Sequence, residues 1–107
     1  MVYIELLRRA AKEFDDVYYY KHSSQSKEVD FVVCRQGKAK ELVQVAYEIE
    51  STKTFNRETS ALVNASERLR CNNLTLVCFE ESRDELVKGK TIRIRNALEW
   101  CIGSGNV

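Results

Sequence analysis

The stretch Glu28-Val29-Asp30-Phe31-Val32-Val33, followed by Glu41-Leu42-Val43-Gln44-Val45-Ala46-Tyr47, decides the fold. Both segments are rich in β-branched and aromatic residues, and Gln36-Gly37-Lys38 between them supplies a hairpin turn. The pattern predicts two antiparallel strands, over about 27–35 and 41–49. Side chains alternate along a strand, so Val29, Phe31 and Val33 share one face while Glu28, Asp30 and Val32 share the other. Asp30 is thereby set beside whichever face of the next strand carries Gln44, Ala46 and Glu48. Strand interiors disfavour aspartate, so Asp30 either does chemistry or pairs with a cation.

Upstream, residues 2–14 read as an amphipathic helix with Tyr3, Leu7, Ala10 and Phe14 on one stripe and Glu5, Arg8, Arg9 and Lys12 opposite. Asp15-Asp16 breaks that period, and Val17-Tyr18-Tyr19-Tyr20 reads as the first strand, with a polar turn over 22–27. Downstream, 50–55 is a polar connection, and Asn56 caps a helix running to about 70 with Ala61, Leu62, Ala65 and Leu69 as its apolar stripe. The continuous run Leu74-Thr75-Leu76-Val77-Cys78-Phe79 predicts a strand buried on both faces, hence internal and parallel to a neighbour. A charged linker over 80–90, a small edge strand over 91–94, a helix around 96–102 and a flexible tail over 103–107 complete the chain. The order α-β-β-β-α-β, then β-α, is that of an α/β fold: a three-strand meander, a helical crossover, and a mixed sheet with helices on both faces. The whole chain, 1–107, is read as one domain.

Charged residues are 31% of the chain yet nearly cancel, to +1, which argues against a strongly basic nucleic-acid binder and against an acidic tail. No apolar stretch approaches the roughly 20 residues of a membrane span and no signal segment opens the chain, so a cytoplasmic protein is expected. Cys34, Cys71, Cys78 and Cys101 form no C-x-x-C pair. They read as small buried hydrophobes in a reducing compartment rather than zinc ligands.

Metal-dependent phosphodiester hydrolysis needs hard oxygen ligands for Mg²⁺ and a group that orients the attacking water. Asp30 suits as a first ligand. Gln44 brings an amide oxygen but no charge, and Ala46 brings nothing, so any Mg²⁺ held through Asp30 and the Val45 carbonyl would be held weakly; no cofactor is firmly expected. Glu5 is a second acid, although Arg8 and Arg9 at three and four residues' distance explain it as a surface ion pair. Lys53 and Arg57, beyond the third strand, are the cations nearest the start of the second helix. His22 lies in a polar turn with no metal-ligand spacing around it. For nucleic-acid binding without catalysis, Arg8, Arg9 and Lys12 form one basic group and Arg35, Lys38 and Lys40 another.

The combination of residues 2–9 with Glu28-Val29-Asp30-Phe31, Val43-Gln44-Val45-Ala46-Tyr47-Glu48-Ile49, Arg57-Glu58 and Leu62 resembles the C-terminal domain of unknown function found behind the ATPase module of archaeal and bacterial AAA+ ATPases. That resemblance covers nearly the whole chain. It implies a PD-(D/E)xK, restriction-endonuclease-like fold and a parent chain whose N-terminal part binds ATP. By the same resemblance Asp30 matches the family's aspartate, Gln44 its glutamate-or-glutamine position and Glu5 its helix acid, while Ala46 stands where active nucleases keep lysine. The chain itself has no G-x-x-x-x-G-K-[ST] phosphate cradle, and Met1 reads as the cut edge of an excised domain. The expected role is a catalytically degenerate nuclease-fold module, recognising or regulating, associated with DNA. The alternatives are a weak nuclease using Asp30 with Glu5 or a relocated Lys53, and a protein-interaction or dimerisation domain.

Overall fold

A computed structural model describes residues 2–13, 15–19 and 30–104. Helix α1 (Val2–Glu13) is followed by strands β1 (Asp16–Tyr19), β2 (Phe31–Arg35) and β3 (Lys38–Val45), helix α2 (Thr52–Leu69), strands β4 (Leu74–Cys78), β5 (Arg83–Val87) and β6 (Lys90–Asn96), and helix α3 (Ala97–Ser104). The six strands form one mixed sheet in the order β1-β2-β3-β4-β6-β5. β1, β2 and β3 are an antiparallel meander, β4 runs parallel to both β3 and β6, and β5 pairs antiparallel with β6. The α/β expectation is met.

Period-2 alternation divides the core between the two faces of the sheet. Leu62, Val63 and Ala65 of α2 pack on Val32, Leu42, Leu76, Ile92 and Ile94. Leu6 of α1 and Ala97 and Trp100 of α3 pack on Phe31, Val33, Val43 and Val77. Every residue of β4 is buried, as its continuous apolar run predicts for an internal strand with parallel neighbours. Each fully buried leucine along this seam contributes about 1.5–3 kcal/mol relative to exposure.

Several boundaries differ from expectation, each for a local reason. β2 begins at Phe31, so Asp30 stands in the bend before the strand rather than inside it. The turn read at 22–27, with His22, and the start of that strand at 27–29 lie outside the described residues. β3 starts at Lys38 and stops at Val45, because the two-residue Gln36-Gly37 loop, at φ 53° and 80°, pairs Arg35 directly with Lys38. α2 starts at Thr52 rather than after Asn56. Ser51 is its cap, with Oγ accepting from the Thr54 N–H at 3.4 Å.

The charged stretch read as a linker holds β5. Lys88-Gly89 repeats the positive-φ turn of Gln36-Gly37, and space is open where a Cβ would stand at either glycine, so φ rather than room demands glycine there. β5 is the outer strand and is largely exposed, which is why it lacks an apolar alternation. β6, read as an edge, lies inside the sheet between β4 and β5. On α1, Leu6 and Ala10 face the core and Leu7 is 42% exposed, so the buried stripe is turned from the one the sequence predicts. α3 continues through Ser104, two residues into the stretch read as a tail.

Candidate functional site

Where β3 leaves the sheet, the Gln44 side chain links the backbone of Asp30 to the side chain of Glu58 on α2. The Asp30 N–H donates to Gln44 Oε1 at 2.9 Å, and Gln44 Nε2 donates to Glu58 Oε2 on α2 at 2.5 Å. Asp30 Oδ2 in turn accepts from the Val45 N–H at 2.9 Å. Only one orientation of the Gln44 amide satisfies this link, because an N–H can only donate and an ionised carboxylate can only accept. Gln44 is 5% exposed and Ala46, two residues on along the same face, is 7% exposed within the α2-side core. The site thus holds two carboxylates, Asp30 and Glu58, with a neutral carboxamide between them. Among the described residues no three His, Cys, Asp or Glu side chains are grouped to hold a metal ion.

Glu5 is on α1, across the sheet from α2, where Arg8 Nη2 and Arg9 Nε reach its carboxylate at 2.8 and 2.9 Å. Lys53 is exposed in the first turn of α2. Five residues before Glu58, it projects roughly 140° around the helix from it, so the two do not share a face.

Of the two basic groups read from the sequence, the helix group and Lys40 of the hairpin group share one cleft. Arg8, Arg9, Lys12 and Lys40, joined by Arg95, line a cleft of about 710 Å³ floored by Leu6, Val33 and Trp100. Glu13, Asp15, Glu41 and Glu99 line it too, so the cleft is of mixed charge. Arg35 pairs with Glu13 and Asp15 at 2.9 and 2.8 Å beside it, and Lys38 is exposed at the hairpin turn. Elsewhere, Tyr47 and Phe79, after β3 and β4, stack with centroids 5.8 Å apart while 81% and 55% exposed.

Residues 1–97, from α1 to the first residue of α3, match the family described as Domain of unknown function (DUF4143). The chain belongs to the DUF4143 family. It is 37% identical over 76 residues, 71% of its length, to an uncharacterized protein of Methanocaldococcus jannaschii, MJ1544. The chain spans 16% of that protein's length. No solved structure matches it.

In this DUF4143 domain the sequence reading reaches Asp30 and Gln44 but not the hydrogen bond that Gln44 makes to Glu58. The signal for Glu58 is its place on α2, about two turns from the cap and on the side facing β3. Among the described residues no helix is long and apolar enough to cross a membrane. Cys71 and Cys78 are buried and Cys34 half-buried, and burial pushes all three thiols up, which keeps them protonated and unreactive.

Asp15 ties the end of α1 to the β2–β3 hairpin. Its carboxylate, 2% exposed, accepts from Arg35 Nε at 2.8 Å and Lys40 Nζ at 2.7 Å. The Arg35 guanidinium, aided by Lys40 and opposed by desolvation, holds the Asp15 carboxyl below the usual carboxylate range. Its cover is two long, half-exposed cationic side chains, so the interaction is screened as surface charges are. With the folded value depressed, the stabilisation is present above the ordinary carboxyl value of about 4 and is lost as pH falls through the folded value. Asp15→Asn is expected to cost about 1 kcal/mol at neutral pH and to flatten the acid side of the stability profile. Urea midpoints measured at neutral pH and through the acid range check both.

Proposed function

We propose that this domain is a nuclease-fold module that recognises rather than cuts, working within a larger ATP-binding protein and associating with nucleic acid. The observation that carries it is the closed chain Asp30–Gln44–Glu58. Both ends of the Gln44 amide are used, so neither can turn to a divalent ion without leaving a neighbour unsatisfied. Ala46 offers no charge or base where the resemblance puts the catalytic lysine. The meander and helical crossover support the nuclease-like architecture, and the gathering of Arg8, Arg9, Lys12 and Lys40 along one cleft supports contact with phosphates.

Incubated with DNA or RNA in Mg²⁺ or Mn²⁺, the chain is expected to leave the strands uncut while being retained on a DNA column at low salt. The affinity should fall by roughly 0.9 log unit per log unit of salt for each phosphate neutralised on duplex DNA. Metal-dependent cleavage abolished by Asp30→Ala would overturn this and favour a weak nuclease. The exposed Tyr47–Phe79 stack favours a second reading, a protein-interaction or dimerisation domain. Sedimentation showing a concentration-dependent dimer, with no DNA binding at about 50 mM salt, would select it.

A further inference from the structure

On the α1/α3 face, the sheet is apolar at Val43 and Val77 and polar at the opposite ends of the same strands. Thr75 of β4 lies directly across from Arg93 of β6, and Arg95 follows two residues on, which puts it on the same face. Arg93 uses Nη2 alone, on Thr75 Oγ1 at 2.9 Å, Glu41 Oε2 at 3.3 Å and Asn73 Oδ1. Its Nε and Nη1 have no acceptor among the described residues. Arg95 uses Nη1 alone, on Asp84 Oδ1 at 2.8 Å and the carbonyls of Arg83 and Ile94. Arg9 reaches in from α1, its guanidinium carbon 3.9 Å from the centroid of the Trp100 ring and its Nη2 on the Trp100 carbonyl at 2.6 Å.

Three guanidiniums therefore line one pocket of about 360 Å³, and among the described residues Glu41 is the carboxylate that lines it with them. Each is paired with a carboxylate, Arg9 with Glu5, Arg93 with Glu41 and Arg95 with Asp84, and each keeps further donors without an acceptor among the described residues: Nη1 on Arg9, Nε and Nη1 on Arg93, Nε and Nη2 on Arg95. Charged N–H donors of this kind match the oxygens of a phosphate, and three guanidiniums about one pocket can share a single anion beyond the carboxylate each already holds. The pocket shares Arg9, Glu41, Arg95 and Trp100 with the larger cleft, whose apolar floor suits an organic body.

We propose that Arg9, Arg93 and Arg95 form a seat for a phosphate monoester whose organic body lies in the adjoining cleft against Leu6 and Trp100. The chemistry is that of a nucleoside 5′-phosphate, carried by a free nucleotide or by the phosphorylated end of a nucleic-acid strand. The second source rests on the recognition role proposed above; the first does not.

Trp100 is the sole tryptophan, and its contact with Arg9 makes its fluorescence a direct reporter. The chain is titrated at fixed ionic strength with inorganic phosphate, adenosine, adenosine 5′-monophosphate, and short oligonucleotides bearing a 5′-phosphate or a 5′-hydroxyl. A saturable change is expected with adenosine 5′-monophosphate, identifying a free nucleotide, or with the 5′-phosphorylated oligonucleotide over its hydroxyl twin, identifying a strand end. Arg93→Gln and Arg95→Gln should each weaken that binding by roughly tenfold to a hundredfold. Arg68→Gln, exposed on α2 across the sheet, should leave it unchanged. Arg93 is tied to Glu41, Asn73 and Thr75, so Arg95→Gln, with an unchanged thermal melt, is the variant that decides. No saturable response to any phosphate-bearing probe at about 1 mM, equal binding of adenosine, or full affinity in Arg95→Gln would overturn the seat. Failure of the recognition role shows separately, as strand cleavage or absent DNA retention, neither of which enters this titration.

Discussion

Gln44→Glu is expected to lower stability at pH 7 by about 3 kcal/mol, and the loss should shrink in acid. The substitution replaces the amide that donates to Glu58 at 2.5 Å with a second carboxylate, and it puts that carboxylate's oxygen against the Glu58 oxygen. Glu58 is 12% exposed at its side chain, so little water screens the repulsion. Two carboxylates in such contact hold a proton at pH values where an isolated one has lost it. With the folded value raised, the compensating stability is fully present below the ordinary glutamate value of about 4.3 and is lost as pH rises through the raised one. A divalent ion can replace the proton, since it offsets the charge of the two carboxylates brought into contact. Urea denaturation from neutral to acid pH, with and without Mg²⁺, reads all three effects. A variant as stable as the parent at neutral pH, and indifferent to Mg²⁺, would show that Gln44 does not keep this site neutral.

Ala46→Lys, the other step toward an active nuclease motif, should destabilise at least as much when made alone, by about 3–4 kcal/mol. Ala46 is 7% exposed and lies in the α2-side cluster with Leu42, Leu62 and Leu76. A lysine there overfills a packed core and takes an ammonium out of water, with the Gln44 amide already holding the neighbouring carboxylate. Combined with Gln44→Glu, the same lysine gains an anionic partner on its own face of the strand. The double variant is therefore expected to be more stable than the sum of the two losses by about 1–2 kcal/mol, and to bind Mg²⁺ more tightly than the parent. Strict additivity in the double-mutant cycle would mean that positions 44 and 46 do not share a site.

Local pattern made much of this architecture legible. The apolar run 74–79 identified an internal strand because a strand covered on both faces has no polar side to display. Gln36-Gly37 identified the first hairpin because the turn needs two positive φ values, and Lys88-Gly89 carried the same signal through a segment whose charge disguised a strand. Where an element faces solvent, as β5 does, the hydrophobic alternation vanishes and composition misleads. Helix starts shifted because a cap is a backbone event: Ser51 and Asn56 are equally good cap residues in sequence, and burial of Phe55 against the sheet favours the earlier one.

The candidate sites divide along the same line. Sequence alone determined that Asp30 and Gln44 would be neighbours, because strand alternation and a tight hairpin leave little freedom. It also determined that position 46 has lost any charge, since an alanine cannot be recharged by context. Only the tertiary structure decided that Gln44 is spent on Glu58, that Glu5 lies across the sheet from that pair, and that Arg9, Arg93 and Arg95 meet beside Trp100. The Gln44–Glu58 and Arg9–Trp100 contacts join residues 14 and 91 positions apart, through a crossover helix and a parallel register. Local sequence carries no record of such distances, because they are set by how the elements pack rather than by what each one prefers.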